Sequence, residues 1–164
     1  MAGEDAGGAH GSNRLGGNGV ANSTVYGGVA GDVMGQDCQE MKALHDPDET
    51  VLDEELTRAM TPFSQKPGDV TALRNRLQDV MWEDVGVMRE ADGLQRGLKR
   101  IAEIDDELSS VGVAADNLAF NLSWHDWLNL RSLIDMSMVI AKAALSRENS
   151  RGAHFREDFP DAGA

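Results

Sequence analysis

Residues 125–147 read HDWLNLRSLIDMSMVIAKAALSR, and their apolar side chains are regularly spaced. Large apolar residues recur at intervals of three or four with polar residues between them, which is the period of a helix with one buried face. The stretch therefore predicts a helix from about His125 to Arg147 that packs along one side. The side chains expected on its inward face are Trp127, Leu130, Ile134, Met138, Ala141 and Leu145.

Two more apolar stripes with the same period precede this helix. The first comprises Leu73, Leu77, Val80, Met81 and Val85, and the second comprises Leu94, Leu98, Ile101 and Leu108. Three amphipathic helices with short connections bury their apolar faces against one another, as in a small antiparallel bundle. We therefore predict a mainly α fold in which residues 69–164 form a C-terminal helical domain and tail.

The first 35 residues have a different composition, since they contain 11 of the 18 glycines. A glycine-dense loop runs to Gly17, and a helix is expected from Gly19 to Met34, with Asn18 as its cap. Glycines destabilise a helix by about 1 kcal/mol each relative to alanine, so several kept in one helix indicate close approach of another backbone. The alternative is that this whole segment is a mobile loop. The apolar residues of the expected helix are Val20, Val25, Val29 and Val33.

Residues 36–68 read as a linker between these two parts. The segment contains three of the four prolines and the acidic run DPDETVLDEE, which are typical of a solvated connection. A short helix is expected within it, near Val51 to Met60.

Composition limits the function classes that remain. The 164-residue chain has a net charge of −13, which repels nucleic acid and anionic lipid. Cys38 is the lone cysteine, so an internal disulfide and a CxxC metal or redox pair are excluded. No apolar run reaches the roughly 18 residues of a spanning helix, and the acidic start is unlike an export signal. We therefore expect a cytoplasmic protein with no direct membrane insertion.

A carboxylate, an imidazole and a guanidinium lie among the N-terminal glycines. Glu4, His10 and Arg14 precede the expected start of a helix, where exposed N–H groups attract anions. The planar fork of Arg14 suits a carboxylate. The loop lacks the GK[ST] ending of a phosphate-binding loop, and His10 is either a catalytic base or a structural residue. The pattern favours an anion or cofactor site.

Three motifs carry a resemblance to a known family. Residues 3–32, GEDAGGAHGSNRLGGNGVANSTVYGGVAGD, resemble the flavin-binding segment near the C-terminal end of the succinate dehydrogenase and fumarate reductase flavoproteins, with its pattern GE followed by HGANRLGGNSL. Residues 148–160, ENSRGAHFREDFP, look like the SRGAHxRxDxP ending of the same family. Residues 81–101, MWEDVGVMREADGLQRGLKRI, look like the opening of its C-terminal helical domain. The motifs occur in the family's order and together cover nearly the whole chain.

This resemblance implies specific roles for residues of the glycine-rich loop. Glu4 matches the glutamate that contacts the flavin nucleotide, and Arg14 matches the arginine that holds a substrate carboxylate. Gly19 and Val20 match the pair whose backbone amides face a flavin carbonyl. The resemblance thus implies FAD as cofactor and a dicarboxylate substrate. No metal ligands are implied.

The resemblance also implies what the chain is part of. It corresponds to the C-terminal part of such a flavoprotein, with residues 1–35 left over from an FAD-binding α/β domain. Because the upstream dinucleotide-binding and capping parts of the family are missing from the sequence, we expect the chain to be inactive alone. Its implied partners are the N-terminal part of the flavoprotein and an iron–sulfur subunit, with attachment to the inner membrane through partner subunits. Alternatives are L-aspartate oxidase within the family, a non-enzymatic helical interaction module, or a truncated remnant.

Overall fold

The computed structural model describes residues 2–41, 43–44 and 46–163. Within them the chain is mainly helical, as predicted, with four very short strands. It divides into two compact units, one of residues 1–47 and 151–154 and the other of residues 48–150 and 155–164. The helices are α1 (Asn18–Glu40), α2 (Glu49–Met60), α3 (Val70–Glu83), α4 (Ala91–Leu108) and α5 (Leu122–Ser146). The strands are β1 (Lys66–Pro67), β2 (Met88–Arg89), β3 (Val111–Gly112) and β4 (Phe155–Arg156).

The second unit contains the predicted three-helix bundle, formed by α3, α4 and α5. Side-chain caps begin two of these helices: Asp69 accepts the N–H of Ala72 at 2.9 Å, and Asn121 accepts the N–H of Trp124 at 3.0 Å. Asn121 thus starts α5 a few residues before the predicted position at His125. The buried apolar residues of the three helices and their connections are Leu73, Leu77, Val80, Val85, Leu94, Ile101, Ile104, Leu108, Val113, Trp127, Leu130, Ile134, Ala141 and Ala144.

The predicted stripes agree with this core except at its margin. Ile104 is 1% exposed but was not among the residues expected inside. Four residues expected on the inward faces are only half-buried and pack at the edge of the core, because their side chains lie at the flanks of the helix–helix contacts. These four residues are Met81, Leu98, Met138 and Leu145.

A buried carboxylate holds α4 against the end of α3. The side chain of Asp84 is 2% exposed and accepts hydrogen bonds from Arg96 at 2.8 Å and Arg100 at 2.7 Å. A Cβ added to Gly97 would lie 3.0 Å from both Asp84 Cβ and Val85 Cγ2. Glycine at this position therefore permits the close approach of α4 to the turn that follows α3.

Two parallel strand pairs connect distant parts of the second unit. β1 pairs with β3 through Lys66 and Val111, and β2 pairs with β4 through Met88 and Phe155. The indole N–H of Trp124 donates to the carbonyl of Ala59 at 2.7 Å and so links α5 to α2. The short helix expected near Val51 to Met60 is thus confirmed as α2.

Arg156 fixes the C-terminal tail to the ends of two helices. Its side chain is 1% exposed, and its Nε and Nη2 donate to the carboxylate of Asp158, each at 2.7 Å. Asp158 also accepts the N–H of Ala91 at the start of α4, at 2.9 Å. The Nη1 of Arg156 donates to carbonyls at the end of α5, those of Ala144, Leu145 and Arg147.

The first unit is built on the glycine-rich loop and α1. The helix runs to Glu40, so residues 36–40, expected in the linker, are helical. Asn18 is not its cap: Gly17 holds the cap position, no side chain caps the helix, and Asn18 already lies in the first turn. Among the described residues of α1 only Gly19 and Asn22 are buried. In the part of the chain that the structure describes, no helix is long and apolar enough to cross a membrane.

Candidate functional site

A left-handed backbone conformation brings the glycine-rich loop into α1. Gly17 has a φ of +88°, which side-chain-bearing residues rarely adopt, and it directly precedes the helix. The first N–H groups of a helix have no carbonyl to reach within it, and no side chain caps α1. The turn at Gly17 therefore leaves the N-terminal end of α1 with backbone donors for a ligand.

Glu4 and Arg14, singled out from the sequence, form an ion pair in this loop. The Nη2 of Arg14 donates to Oε1 of Glu4, while its Nη1 donates to Oδ1 of Asn13 at 2.9 Å. The N–H of Glu4 donates to the hydroxyl of Ser23 on α1 at 3.1 Å. The loop thereby places the guanidinium and the carboxylate beside the first turns of the helix.

Gly19 is the third predicted site residue, and its missing side chain makes room for this pair. A Cβ built at position 19 would overlap Arg14 Nη2 and would lie 3.2 Å from Glu4 Cγ. The overlap is far inside van der Waals contact, so any side chain here would displace the guanidinium. Glycine at position 19 therefore leaves the space that the guanidinium occupies, and a larger residue would make this flexible side chain move.

The four predicted site residues line one cleft. Its volume is about 530 Å³, and the Val20 side chain on its wall is 73% exposed. The cleft combines a cation, a carboxylate, backbone donors and a small apolar surface, which is a donor and acceptor set suited to a polar anionic ligand. Its lining residues are Glu4, Arg14, Gly16, Gly17, Gly19, Val20, Ser23 and Thr24.

One further donor in the cleft region has no partner. The Nε of Arg14 is buried and makes no hydrogen bond to any described residue, although its two terminal nitrogens both do. A buried donor without a partner is uncommon and indicates a missing acceptor. The chemistry of the residues present thus fits a ligand that carries carboxylate or carbonyl oxygens.

His10 lies next to this cleft and shares Arg14 with it. The histidine is half-buried in a second depression of about 410 Å³, where Asn22 and Tyr26 of α1 also lie. Its Nε2 is buried and has no partner among the described residues. If His10 only held the loop together, its Nε2 would be expected to form a hydrogen bond within the protein. The absence of such a bond among the described residues gives the structural interpretation of His10 no support.

The C-terminal motif supports the same loop, a role that was not expected from the sequence. The N–H of Ala153 donates to the carbonyl of Ser12 at 3.0 Å. Gly152 has a φ of +59°, and a Cβ on it would lie 3.1 Å from the same carbonyl oxygen. A signal was present in the sequence, since the RGAH segment places a glycine where close backbone contact would need one. The segment thus braces the loop two residues before Arg14.

Comparisons with known proteins agree with the resemblance inferred from the three motifs. A sequence profile described as fumarate reductase flavoprotein C-term matches residues 74–163. An uncharacterized FAD-dependent oxidoreductase of Methanocaldococcus jannaschii is 35% identical over 161 residues, which are 97% of this chain and 28% of that protein. A fumarate reductase (CoM/CoB) chain of Methanothermobacter marburgensis is 32% identical over 160 residues, which are 98% of this chain and 29% of that protein.

A solved structure extends the agreement to the fold. A chain from Mycobacterium smegmatis Sdh1 in complex with UQ1 is 34% identical and superposes with a TM-score of 0.90. The match covers 99% of this chain and 27% of that chain. The protein therefore belongs to the fumarate reductase flavoprotein C-terminal family, and it spans between a quarter and a third of the length of these relatives.

Proposed function

We propose that this member of the fumarate reductase flavoprotein C-terminal family supplies one wall of the active site of an FAD-dependent dicarboxylate oxidoreductase. The observation that carries the proposal is the arrangement of Arg14, Glu4 and Gly19 at the uncapped start of α1. The reaction we assign to the complete enzyme is the interconversion of succinate and fumarate, or of a related acid pair. The chain alone is expected to be inactive, because its relatives are three to four times longer.

The residues of the cleft divide the binding work between substrate and cofactor. Arg14 binds a substrate carboxylate, since a guanidinium offers two parallel N–H donors to it. The N–H groups of Gly19 and Val20 donate to a flavin carbonyl, where preorganised donors stabilise negative charge. Glu4 accepts a hydrogen bond from the nucleotide part of the cofactor. Bound FAD would supply the hydride acceptor, which no protein side chain can supply.

The exposed apolar face of α1 supports the proposal that the N-terminal part of the flavoprotein packs against this helix. Val25 and Val29 are 58% and 56% exposed, which is unusual for a regularly spaced apolar stripe on a long helix. We assign residues 1–35 to the FAD-binding part of the complete enzyme, residues 36–68 to a linker and residues 69–164 to the helical domain. The further partner in this proposal is an iron–sulfur subunit. Other partner subunits would attach the complex to the cytoplasmic face of the inner membrane.

The test is the substitution Arg14→Lys in the complete flavoprotein that contains this segment. Lysine keeps the charge but loses the two-pronged donor, so succinate turnover should fall by about a hundredfold or more, equivalent to roughly 2.7 kcal/mol. Flavin content, measured by absorbance, should stay normal because Glu4, Gly19 and Val20 are unchanged. The matched control is Arg58→Lys, which alters an exposed ion pair with Glu55 on α2.

Other outcomes would redirect the proposal. Normal turnover with normal flavin content would remove Arg14 from the substrate site. Loss of flavin together with activity would make Arg14 a residue that holds the cofactor site. Turnover of L-aspartate in place of succinate would indicate the L-aspartate oxidase branch, and a complete protein without flavin would indicate a non-enzymatic interaction module.

A further inference from the structure

The three donor nitrogens of Arg14 have different partners. Nη1 is held by Asn13, Nη2 by Glu4, and Nε is buried without a partner among the described residues. A carboxylate that binds a guanidinium side-on uses Nε together with Nη2. On this side of Arg14, Nε can still donate to a ligand, whereas Nη2 already donates to Glu4.

We propose that Glu4 is an internal competitor that occupies the carboxylate site of Arg14 until a ligand carboxylate displaces it. The inference rests on the proposed function in one respect, namely that Arg14 receives the substrate carboxylate. It goes further by giving Glu4 two successive partners: Arg14 while the cleft holds no ligand, and the nucleotide part of the cofactor once a ligand carboxylate has taken its place on Arg14. Because the group that now occupies Arg14 is a carboxylate, the ligand that replaces it should also carry a carboxylate.

Gly19 leaves the space in which Arg14 and Glu4 can pair. The guanidinium rests where a side chain at position 19 would be, and Glu4 Cγ lies 3.2 Å from the place that a Cβ would take there. The pair is also accessible to solvent, since the side chains of Arg14 and Glu4 are 28% and 52% exposed. Ion pairs with this exposure are weak, so a ligand carboxylate can replace Glu4 at low energetic cost.

The experiment is a succinate titration of the chain itself, followed by NMR at the Nε–H of Arg14. The signal is assigned by its loss in Arg14→Lys. Glu4→Gln removes the competitor and should tighten succinate binding at Arg14 by about threefold, as expected for release of an exposed ion pair. The matched control is Asp5→Asn, which removes one negative charge from the neighbouring exposed position. A gain in succinate affinity that is equal in both variants would measure only the general repulsion between the loop and the succinate anion.

A second pair of variants tests the steric part of the inference. Gly19→Ala should shift the Nε–H signal of Arg14 before any succinate is added, because the new methyl group displaces the guanidinium from Glu4. Gly27→Ala is the matched control, since a Cβ at this helical glycine meets no atom within 4 Å. An unchanged Arg14 signal in Gly19→Ala would contradict the observed packing and overturn the inference.

The failure of the inference can be told apart from failure of the proposed function. If succinate perturbs Arg14 equally in wild type, Glu4→Gln and Asp5→Asn, Glu4 is not a competitor, while the carboxylate role of Arg14 stands. If succinate perturbs Arg14 in no variant, both the inference and that role are overturned.

Discussion

Helix α1, with 23 residues, and helix α4, with 18, both carry apolar residues at helical intervals, but the pattern is much stronger in α4 and the two helices bury very different surfaces. α4 has six buried residues, including Leu94 and Ile101 with no exposed surface. In α1, within the described residues 18–40, the buried residues are Gly19 and Asn22, and the valines point to solvent. Helices in proteins are stabilised mainly by packing of an apolar face, so α4 is secured within its own unit and α1 is not. A periodic sequence thus specifies a helix without specifying what covers it.

The comparison predicts a large difference in amide hydrogen exchange between the units. Backbone amides in residues 2–17 should exchange rapidly, whereas those from Leu94 to Leu108 should be protected by at least about a thousandfold more. The reason is that α4 opens only when the bundle unfolds, while the loop depends on few contacts. Exchange followed by mass spectrometry would measure this. Equal protection of both segments would show that the first unit is as stable as the bundle.

Substitutions on the two helices should show the same contrast in unfolding free energy. Leu94→Ala removes a fully buried side chain from the bundle core and should cost about 2 to 5 kcal/mol. Val29→Ala, on the exposed face of α1, should change stability by less than about 0.5 kcal/mol. Urea unfolding followed by tryptophan fluorescence is suitable, because Trp82, Trp124 and Trp127 all lie in the second unit. A cost below about 0.5 kcal/mol for Leu94→Ala would refute the assigned core.

The tail contact of the second unit should show a smaller effect. Arg156→Lys keeps a positive charge but loses the fork that bonds Asp158 and the carbonyls at the end of α5, so the cost should be about 1 to 3 kcal/mol. Arg58→Lys serves as control, since its ion pair is exposed and should contribute less than about 1 kcal/mol. Indistinguishable unfolding curves for wild type and Arg156→Lys would mean that the tail does not stabilise the bundle.

The smallest expected effect is a pH dependence of the same contact. The hydrogen bond from Arg156, followed by that from the N–H of Ala91, lowers the pKa of Asp158 from 3.8 to about 2. A carboxyl group with a lowered pKa in the folded state stabilises the fold above pH 3.8, and this contribution is lost as the pH falls toward 2. The stability difference between wild type and Asp158→Asn should therefore shrink over that interval. Asp116→Asn, at an exposed loop position, should give no such convergence.

Much of the fold could be predicted from the sequence because its helices are amphipathic. The spacing of Leu94, Ile101 and Leu108 located α4 and its buried face correctly. The exposure of Val25 and Val29 could not be predicted, because burial depends on packing partners that a periodic pattern does not identify. The prediction that Asn18 caps α1 was wrong, because the left-handed turn at Gly17 starts the helix one residue earlier than expected.

The sequence predicted which residues lie in the candidate site, but it did not predict the contacts between them. Glu4, Arg14 and Gly19 were singled out, and they line one cleft, yet their roles as ligand-binding residues stay predictions. Glu4 and Arg14 were expected to bind separate ligands, whereas the two side chains bind each other. The ion pair depends on the backbone dihedrals of the residues between its partners, such as the left-handed conformations of Gly8 and Gly11, which spacing alone does not define.

The bond between Ala153 and Ser12 has a consequence for the order in which the chain folds. It joins the glycine-rich loop to a segment near the opposite end of the chain, and so closes a loop of about 140 residues. Contacts between residues so distant in sequence form late, because the intervening chain must be ordered first. During synthesis on the ribosome, the bundle can begin to assemble while the loop still lacks its brace. The cleft that Glu4 and Arg14 line should accordingly take its final form only after Ala153 has been translated.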